Sequence, residues 1–219
     1  MIDTLMIFAA GFGKRMQPIT NYIPKPLVPV AGKPMLYHAL DLAGHFPFKK
    51  IIINAHHLAN LIDAAVKRYV DLFKPAAQIQ VVFEERVLET AGGIKNAYHL
   101  FAHKDAIFSM NSDSIITTSP GIWRSMLASW HGDMMDFLML VTPRSRSFGS
   151  IGKGDFNLNA QGGLSRDLAG EQFDFMFNGL QIIKPNLIMQ NADDVFSLSN
   201  YYKDRTIKLH GFINPGNFY

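Results

Sequence analysis

Short, uninterrupted apolar runs alternate with longer stretches of helical periodicity over most of these 219 residues, and no other feature restricts the fold as tightly. Leu5 to Ala10 is such a run and ends in glycine, the pattern of a parallel strand buried on both faces. A helix over 34–46 follows, opened by Pro34 in its first turn, and then the β-branched triplet Ile51, Ile52 and Ile53. Leu58, Leu61, Ile62, Ala65, Tyr69, Leu72 and Phe73 recur on one helix face. A third strand is expected at Ile79 to Phe83, a helix through Ile94, Ala97, Tyr98 and Phe101, a fourth strand at Ala106 to Met110, and a helix over 120–131. Such a βαβα series predicts an α/β fold, a Rossmann-like, mostly parallel sheet with helices on both faces and right-handed crossovers.

The pattern changes beyond Met135. Phe137 to Val141 reads as one more strand, after which Gly149, Gly152, Gly154, Gly162 and Gly163 punctuate short alternating stretches such as Asp155 to Leu158. That reads as a small β-hairpin insertion at about 144–170, beside the main sheet. Phe173 to Ile183 returns as a strand, one or two short helices follow, and a last strand is expected near Ile207 to His210. With 48% hydrophobic residues the chain can bury one substantial core, so 1–219 is read as a single domain.

In open parallel sheets ligands sit beyond the carboxyl ends of the strands, so the loops there are searched for chemistry. The first contains Gly11-Phe12-Gly13, with Met16 where a dinucleotide fingerprint needs its third small residue and without the ending of a P-loop. Two glycines let backbone N–H groups approach a phosphate, and Lys14, Arg15 and Lys25 supply positive charge. A strand-to-helix turn with solvated basic residues fits the same composition equally well. In Asn111-Ser112-Asp113 a carboxylate follows the fourth strand, and it can face phosphates only across a cation such as Mg²⁺. An Asx turn or helix cap is the plainer reading. The stretch at 84–97 brings Glu89, Thr90, Gly92 and Gly93 to a helix start, either to admit a flat base against the backbone or as an ordinary capped N-terminus.

Other chemistries are excluded or disfavoured. There is no cysteine, hence no disulfide framework, thiolate nucleophile or Cys-ligated zinc. A net charge of +3 without a run of like charge fits small anionic ligands better than nucleic acid. His56 and His57, adjacent after the second strand, read as a strand end and a cap, since neighbours in an extended segment face opposite ways. A nicotinamide-dependent reading fails on the missing third glycine and on Asn54, which stands where a ribose-binding acid belongs. The first residues lack a basic region and a membrane-length apolar run, so a soluble, cytoplasmic protein is expected.

Together, F-A-A-G-x-G-x-R-M-x-P-x-T, P-K-P-L-V-P-V-A-G-K-P-M, L-E-T-A-G-G-I and N-S-D, in this order, resemble the sugar-phosphate nucleotidyltransferases. The similarity covers nearly the whole chain and is greatest to the branch that includes mannose-1-phosphate guanylyltransferase-like proteins and N-acetylmuramate-1-phosphate uridylyltransferases. It implies the nucleotide-diphospho-sugar transferase fold and an enzyme that joins a sugar-1-phosphate to a nucleoside triphosphate, releasing pyrophosphate. By position, Ala10, Gly11 and Gly13 would wrap the triphosphate, while Arg15 and Lys25 would hold and neutralise phosphate. Glu89, Gly92 and Gly93 would lie at base and ribose, and Asp113 would bind Mg²⁺. Asn178, Gly179 and Glu171 would face the sugar. UTP is the favoured nucleotide, with GTP possible, and the protein is expected as a monomer or small homo-oligomer.

One departure stands out. Asn214 occupies the place of a second metal-binding aspartate in relatives, and an amide oxygen brings no charge to the metal. A catalytically weak or inactive nucleotide-binding protein on the same fold is therefore the alternative expectation. A chain ending at Tyr219 is also expected to lack the C-terminal helix or β-helix of larger relatives.

Overall fold

The computed structural model describes residues 2–149, 152–166 and 172–219. Its first half contains β1 (Thr4–Phe8), β2 (Pro29–Val30), β3 (Lys33–Pro34), α1 (Met35–Ala43), β4 (Lys50–Ala55), α2 (Ala59–Phe73), β5 (Gln78–Phe83), α3 (Glu89–Ala97) and β6 (Ile107–Asn111). The second half adds α4 (Ile122–Ser129), β7 (Phe137–Pro143), β8 (Asn157–Leu158), β9 (Leu164–Ser165), β10 (Phe175–Ile183), α5 (Pro185–Ile188) and β11 (Leu209–Ile213). Among the described residues no helix is long and apolar enough to cross a membrane.

Seven strands form one sheet in the order β11-β7-β10-β6-β1-β4-β5. Neighbours are parallel except around β10, which runs antiparallel to both β6 and β7. The continuous apolar runs are explained by burial on two faces. Leu5, Ile7, Ile51 and Ile53 enter one core with α1, α2 and α4, whereas Met6 and Ile52 enter a second with α3 and α5. Trp123 of α4 is fully buried beside Phe48 and Phe108, and its indole N–H donates to the Leu42 carbonyl at 2.7 Å.

Element boundaries shift where local chemistry overrides periodicity. Strand β1 stops at Phe8, leaving Ala9 and Ala10 in the loop. Pro34 lies just before α1 and pairs with Pro29, so the helix starts one residue later than its proline suggested. The β2–β3 hairpin, unexpected from the sequence, turns on Ala31 and Gly32 at φ 49° and 83°, the left-handed pair that a tight two-residue turn needs. The last strand lies at Leu209–Ile213 instead of Ile207 to His210, because the Lys208 N–H is taken by Asp136 and pairing with β7 begins after it. The insertion contributes β8 and β9, and it packs on β11 through Leu158 and Leu164, which leave no room for a Cβ at Gly211.

The order of the four strands β5-β4-β1-β6 reverses direction of travel at β1, so a crevice opens between the carboxyl ends of β1 and β6. Register places Phe8 opposite Asn111, and Ser112 donates both its N–H and its hydroxyl to the Phe8 carbonyl, the hydroxyl at 2.6 Å. The glycine-rich loop and the Asn111-Ser112-Asp113 loop therefore leave the sheet side by side.

Two glycines divide fold from site. A Cβ on Gly92 would lie 2.2 Å from the Asp194 carbonyl oxygen, while one on Gly11 would meet nothing within 4 Å. Gly92→Ala should cost about 1–3 kcal/mol in urea unfolding, and Gly11→Ala should leave stability within about 0.5 kcal/mol of wild type. Equal effects of the two would refute this division.

Candidate active site

A cleft of about 650 Å³ occupies that crevice. It is lined by the loop Phe8 to Met16, by Lys25 and Pro26, by Asn54, by Val87, Glu89 and Thr90, and by Asn111 to Asp113. The glycine-rich loop is folded by close packing. Gly13 sits at φ 63°, and a Cβ there would press within 2.9 Å of both Lys25 Cβ and Thr20 Cγ2. Thr20 donates to the Gly13 carbonyl at 3.0 Å, and His57 Nε2 donates to the Thr20 carbonyl at 2.7 Å. The loop and Lys25 are thereby fixed against each other.

Charge is concentrated here. Lys25, in a single turn between Pro24 and Pro26, forms an ion pair with the Asp113 carboxylate. The exposed Arg15 guanidinium lines the cleft and makes no hydrogen bond or ion pair among the described residues. Lys14 lies over the Phe12 ring at 5.6 Å from its centroid. A cleft that brings glycine backbone, two cations and one carboxylate together can hold a polyphosphate and a cation at once.

A buried pair sets the spacing of the two ends. Asn54, at the end of β4, accepts from the Ala9 N–H at 2.9 Å and donates to Glu84 Oε1 at 2.7 Å. Glu84 Oε2 accepts from the Leu88 N–H at 3.2 Å, at the threshold of α3. Burial pushes the Glu84 carboxyl above the ordinary carboxylate range, and the bonds from Asn54 and Leu88 only partly offset it.

The sequence-derived residues divide into groups. Ala10, Gly11, Gly13, Arg15, Lys25, Glu89 and Asp113 all line the cleft. Gly92 and Gly93 do not: Gly92 donates to the Phe196 carbonyl, and Gly93 lies against the Asn54 and Glu84 side chains, with 2.8 Å from its Cβ position to Asn54 Nδ2. Asn178 and Gly179 lie in a bulge of β10, where Gly179, at φ 77°, backs onto Asn111 and Ser114. Asn214 is fully buried, donating to Thr142 Oγ1 at 3.1 Å and accepting from the Gly216 N–H at 3.1 Å. Glu171 lies outside the described residues. His56 and His57 face different partners, the Glu84 and Thr20 carbonyls. Asn54, Glu84 and Asn111 were not singled out as site residues; a polar residue at the carboxyl end of each strand was the signal.

The family model for nucleotidyl transferases matches residues 4–153. The chain belongs to the nucleotidyl transferase family. It is 35% identical over 201 residues to the N-acetylmuramate alpha-1-phosphate uridylyltransferase of Caulobacter vibrioides, covering 90% of this chain and 82% of that protein. It is 28% identical over 146 residues to the mannose-1-phosphate guanyltransferase of Aspergillus fumigatus, covering 67% of this chain and 40% of that longer protein. The fold is shared with the crystal structure of HddC from Yersinia pseudotuberculosis in complex with GMP-PN, at a TM-score of 0.77 and 20% identity, over 100% of this chain and 93% of the other. A UDP-glucose pyrophosphorylase complexed with UDP-glucose aligns at a TM-score of 0.76 and 14% identity, over 100% and 93%.

For this transferase the Glu84 shift has a testable sign. A carboxyl raised in the folded state binds more protons than the unfolded chain in the window between its unfolded and folded pKa values, so its contribution to stability falls as pH rises through that window. The Tm of wild type minus that of Glu84→Gln should be largest in acid and decline as pH rises above the ordinary carboxylate range. A pH-independent difference would mean that Glu84 ionises normally.

Proposed function

We propose that the chain joins a sugar-1-phosphate to a nucleoside triphosphate, giving an NDP-sugar and pyrophosphate. The observation that carries this reading is the meeting of an unpaired Arg15 with the Lys25–Asp113 pair in one cleft at the β1–β6 crevice. A sugar-phosphate oxygen forms the new bond to the α-phosphorus while the bond to the β-phosphate oxygen breaks, and pyrophosphate leaves with that electron pair. A phosphomonoester is largely ionised at neutral pH, its second pKa being about 6, so no general base is needed. The chain's part is positioning and charge neutralisation.

Each residue has a share in that work. The Gly11 and Gly13 backbone and Arg15 hold the triphosphate, and Lys25 neutralises phosphate. Asp113 fits Mg²⁺, which is held by one or two carboxylates together with substrate phosphates; among the described residues no cluster of three or more His, Asp or Glu offers a closed cage. Bound there, the metal would supply charge neutralisation at the phosphates. The Asn214 amide is already engaged on both sides, its nitrogen by Thr142 and its oxygen by the Gly216 N–H. Asn178 and Gly179 do not line the cleft; Asn178 is fully buried, and its Nδ2 has no hydrogen-bond partner among the described residues. The Caulobacter relative supports UTP and N-acetylmuramate-1-phosphate as the pair, which would make the product a cell-envelope precursor.

Pyrophosphate release with Mg²⁺, scanned over the five common nucleoside triphosphates and a panel of sugar-1-phosphates, tests the reading. A signal with UTP and N-acetylmuramate-1-phosphate is expected. Silence throughout, with nucleotide still bound in calorimetry, would establish a binding protein instead. Arg15→Ala and Asp113→Ala should each lower kcat at least about 100-fold with little change in Tm.

Asn214→Asp replaces donors by acceptors facing the Thr117 and Asn217 carbonyls. It should lower Tm in chelator and recover it in millimolar Mg²⁺. A variant whose Tm ignores Mg²⁺ would remove this position from the metal site.

A further inference from the structure

The seven-stranded sheet ends in β11 on one side and β5 on the other. The β11 edge is covered: Gly163 bridges to His210, and the Gly211 N–H donates to the Gly162 carbonyl at 3.0 Å. Among the described residues the β5 edge is bare. Strand β5 pairs with β4 in unbroken register from Gln78 to Phe83, and the Gln78 and Glu84 N–H groups donate to the Lys49 and Ala55 carbonyls. Backbone groups of successive strand residues point to alternate sides, so Gln80 and Val82 also face β4, whereas Ile79, Val81 and Phe83 turn their N–H and C=O groups outward. Those outward groups have no hydrogen-bond partner among the described residues. Natural sheet edges are blunted by charged side chains, proline, bulges or a cover. Gln-Ile-Gln-Val-Val-Phe has none of these.

The residues around the strand say what pairs with it. Phe83 is apolar yet 57% exposed. Charge is sorted to the two ends: Lys74 stands four residues before β5 and Glu85 two residues after it, both exposed and neither side chain in a hydrogen bond or ion pair among the described residues. A strand with a free cation before its start and a free anion past its end is complementary to itself in the antiparallel sense. A two-fold axis between two copies turns each Lys74 toward the partner's Glu85.

We propose that the β5 edge is the docking surface for a second copy of this chain, the two β5 strands pairing antiparallel about a two-fold axis so that one sheet runs through the dimer. Centring the axis on Val81 uses every outward residue: Val81 faces the partner's Val81 and Ile79 faces the partner's Phe83, each pair exchanging two hydrogen bonds. Ile79 and Phe83 project from the same face of the sheet, so the exposed ring gains an aliphatic cross-strand neighbour. No residue of β5 lines the catalytic cleft, and the surface stands independently of the proposed reaction.

Sedimentation velocity across the micromolar range tests the surface, since one strand pair with its flanks lies at the small end of specific interfaces. Wild type should pass from monomer to dimer as concentration rises. Val81→Pro removes an N–H that points away from β4, and Phe83→Lys sets a charge on the edge; each should raise the dimer's Kd about 10- to 100-fold with the circular dichroism unchanged. Lys74→Glu should raise it about 3- to 10-fold, and adding Glu85→Lys should restore it. In this cysteine-free chain Val81→Cys should cross-link two copies on mild oxidation, the paired Cα atoms lying about 5.5 Å apart, whereas Gln78→Cys should not. A monomer at every concentration would overturn the proposal. A dimer that survives both Val81→Pro and Phe83→Lys, or that Gln78→Cys cross-links as readily as Val81→Cys, would overturn it in favour of another face. If Val81→Pro fails to fold, Phe83→Lys decides alone, because that side chain is exposed in the monomer.

Discussion

The Asn54 amide holds the site together. Its oxygen receives the Ala9 N–H as the chain leaves β1, and its nitrogen meets Glu84 as the chain leaves β5. Glu84 in turn receives the Leu88 N–H. Two carboxyl-end loops, those after β1 and β5, are thus referenced to one side chain that the sheet itself buries. Loops at the surface are ordinarily the most variable part of a fold, and phosphate recognition demands sub-ångström placement of backbone donors. A buried amide bonded to both loops reconciles the two demands. The cost of burying Glu84 next to it is accepted because an unpaired Asn54 Nδ2 at that depth would itself cost about 1–3 kcal/mol.

A second polar network lies across the sheet. Thr142 donates to Asn178 Oδ1 at 2.8 Å and accepts from Asn214 at 3.1 Å, joining β7, β10 and the segment after β11. Arg146 extends it by donating to the Asn214, Pro215 and Gly216 carbonyls. An amide suits the centre of this network because it offers donors to the surrounding oxygens and an acceptor to the Gly216 N–H at once. A carboxylate could serve those oxygens only with a cation or proton between. The asparagine therefore stabilises the C-terminal segment by hydrogen bonding alone, in a position where charge would require a metal.

The fold was legible in the chain because burial on two faces leaves a plain signature: uninterrupted apolar runs for strands, helical spacing between them. The cleft's cationic loop and Asp113 were legible too, since the strand ends fix where such residues must converge. Gly92 shows why a glycine's purpose is hard to read from sequence. A glycine needed for a ligand and one needed for helix packing look identical in sequence, and only the 2.2 Å approach of the Asp194 carbonyl tells them apart. Asn54 was noticed only as an absent acid. Its role depends on Ala9 and Glu84, 45 and 30 residues away, and no local pattern encodes such a pairing. The β2–β3 hairpin was hidden by its prolines, which break strands in general but are tolerated in a two-residue ladder at an edge.

Two cations and two carboxylates meet in one cleft, which Arg15, Lys25, Glu89 and Asp113 all line. Lys25 balances Asp113, whereas Arg15 and Glu89 have no hydrogen-bond or ion-pair partner among the described residues. Gly13 fixes part of that arrangement: a Cβ there would lie 2.9 Å from both Lys25 Cβ and Thr20 Cγ2, so only a residue without one lets the loop pack this closely on Lys25. A single position of the glycine-rich loop thereby sets how near the loop backbone comes to the cation that pairs with Asp113.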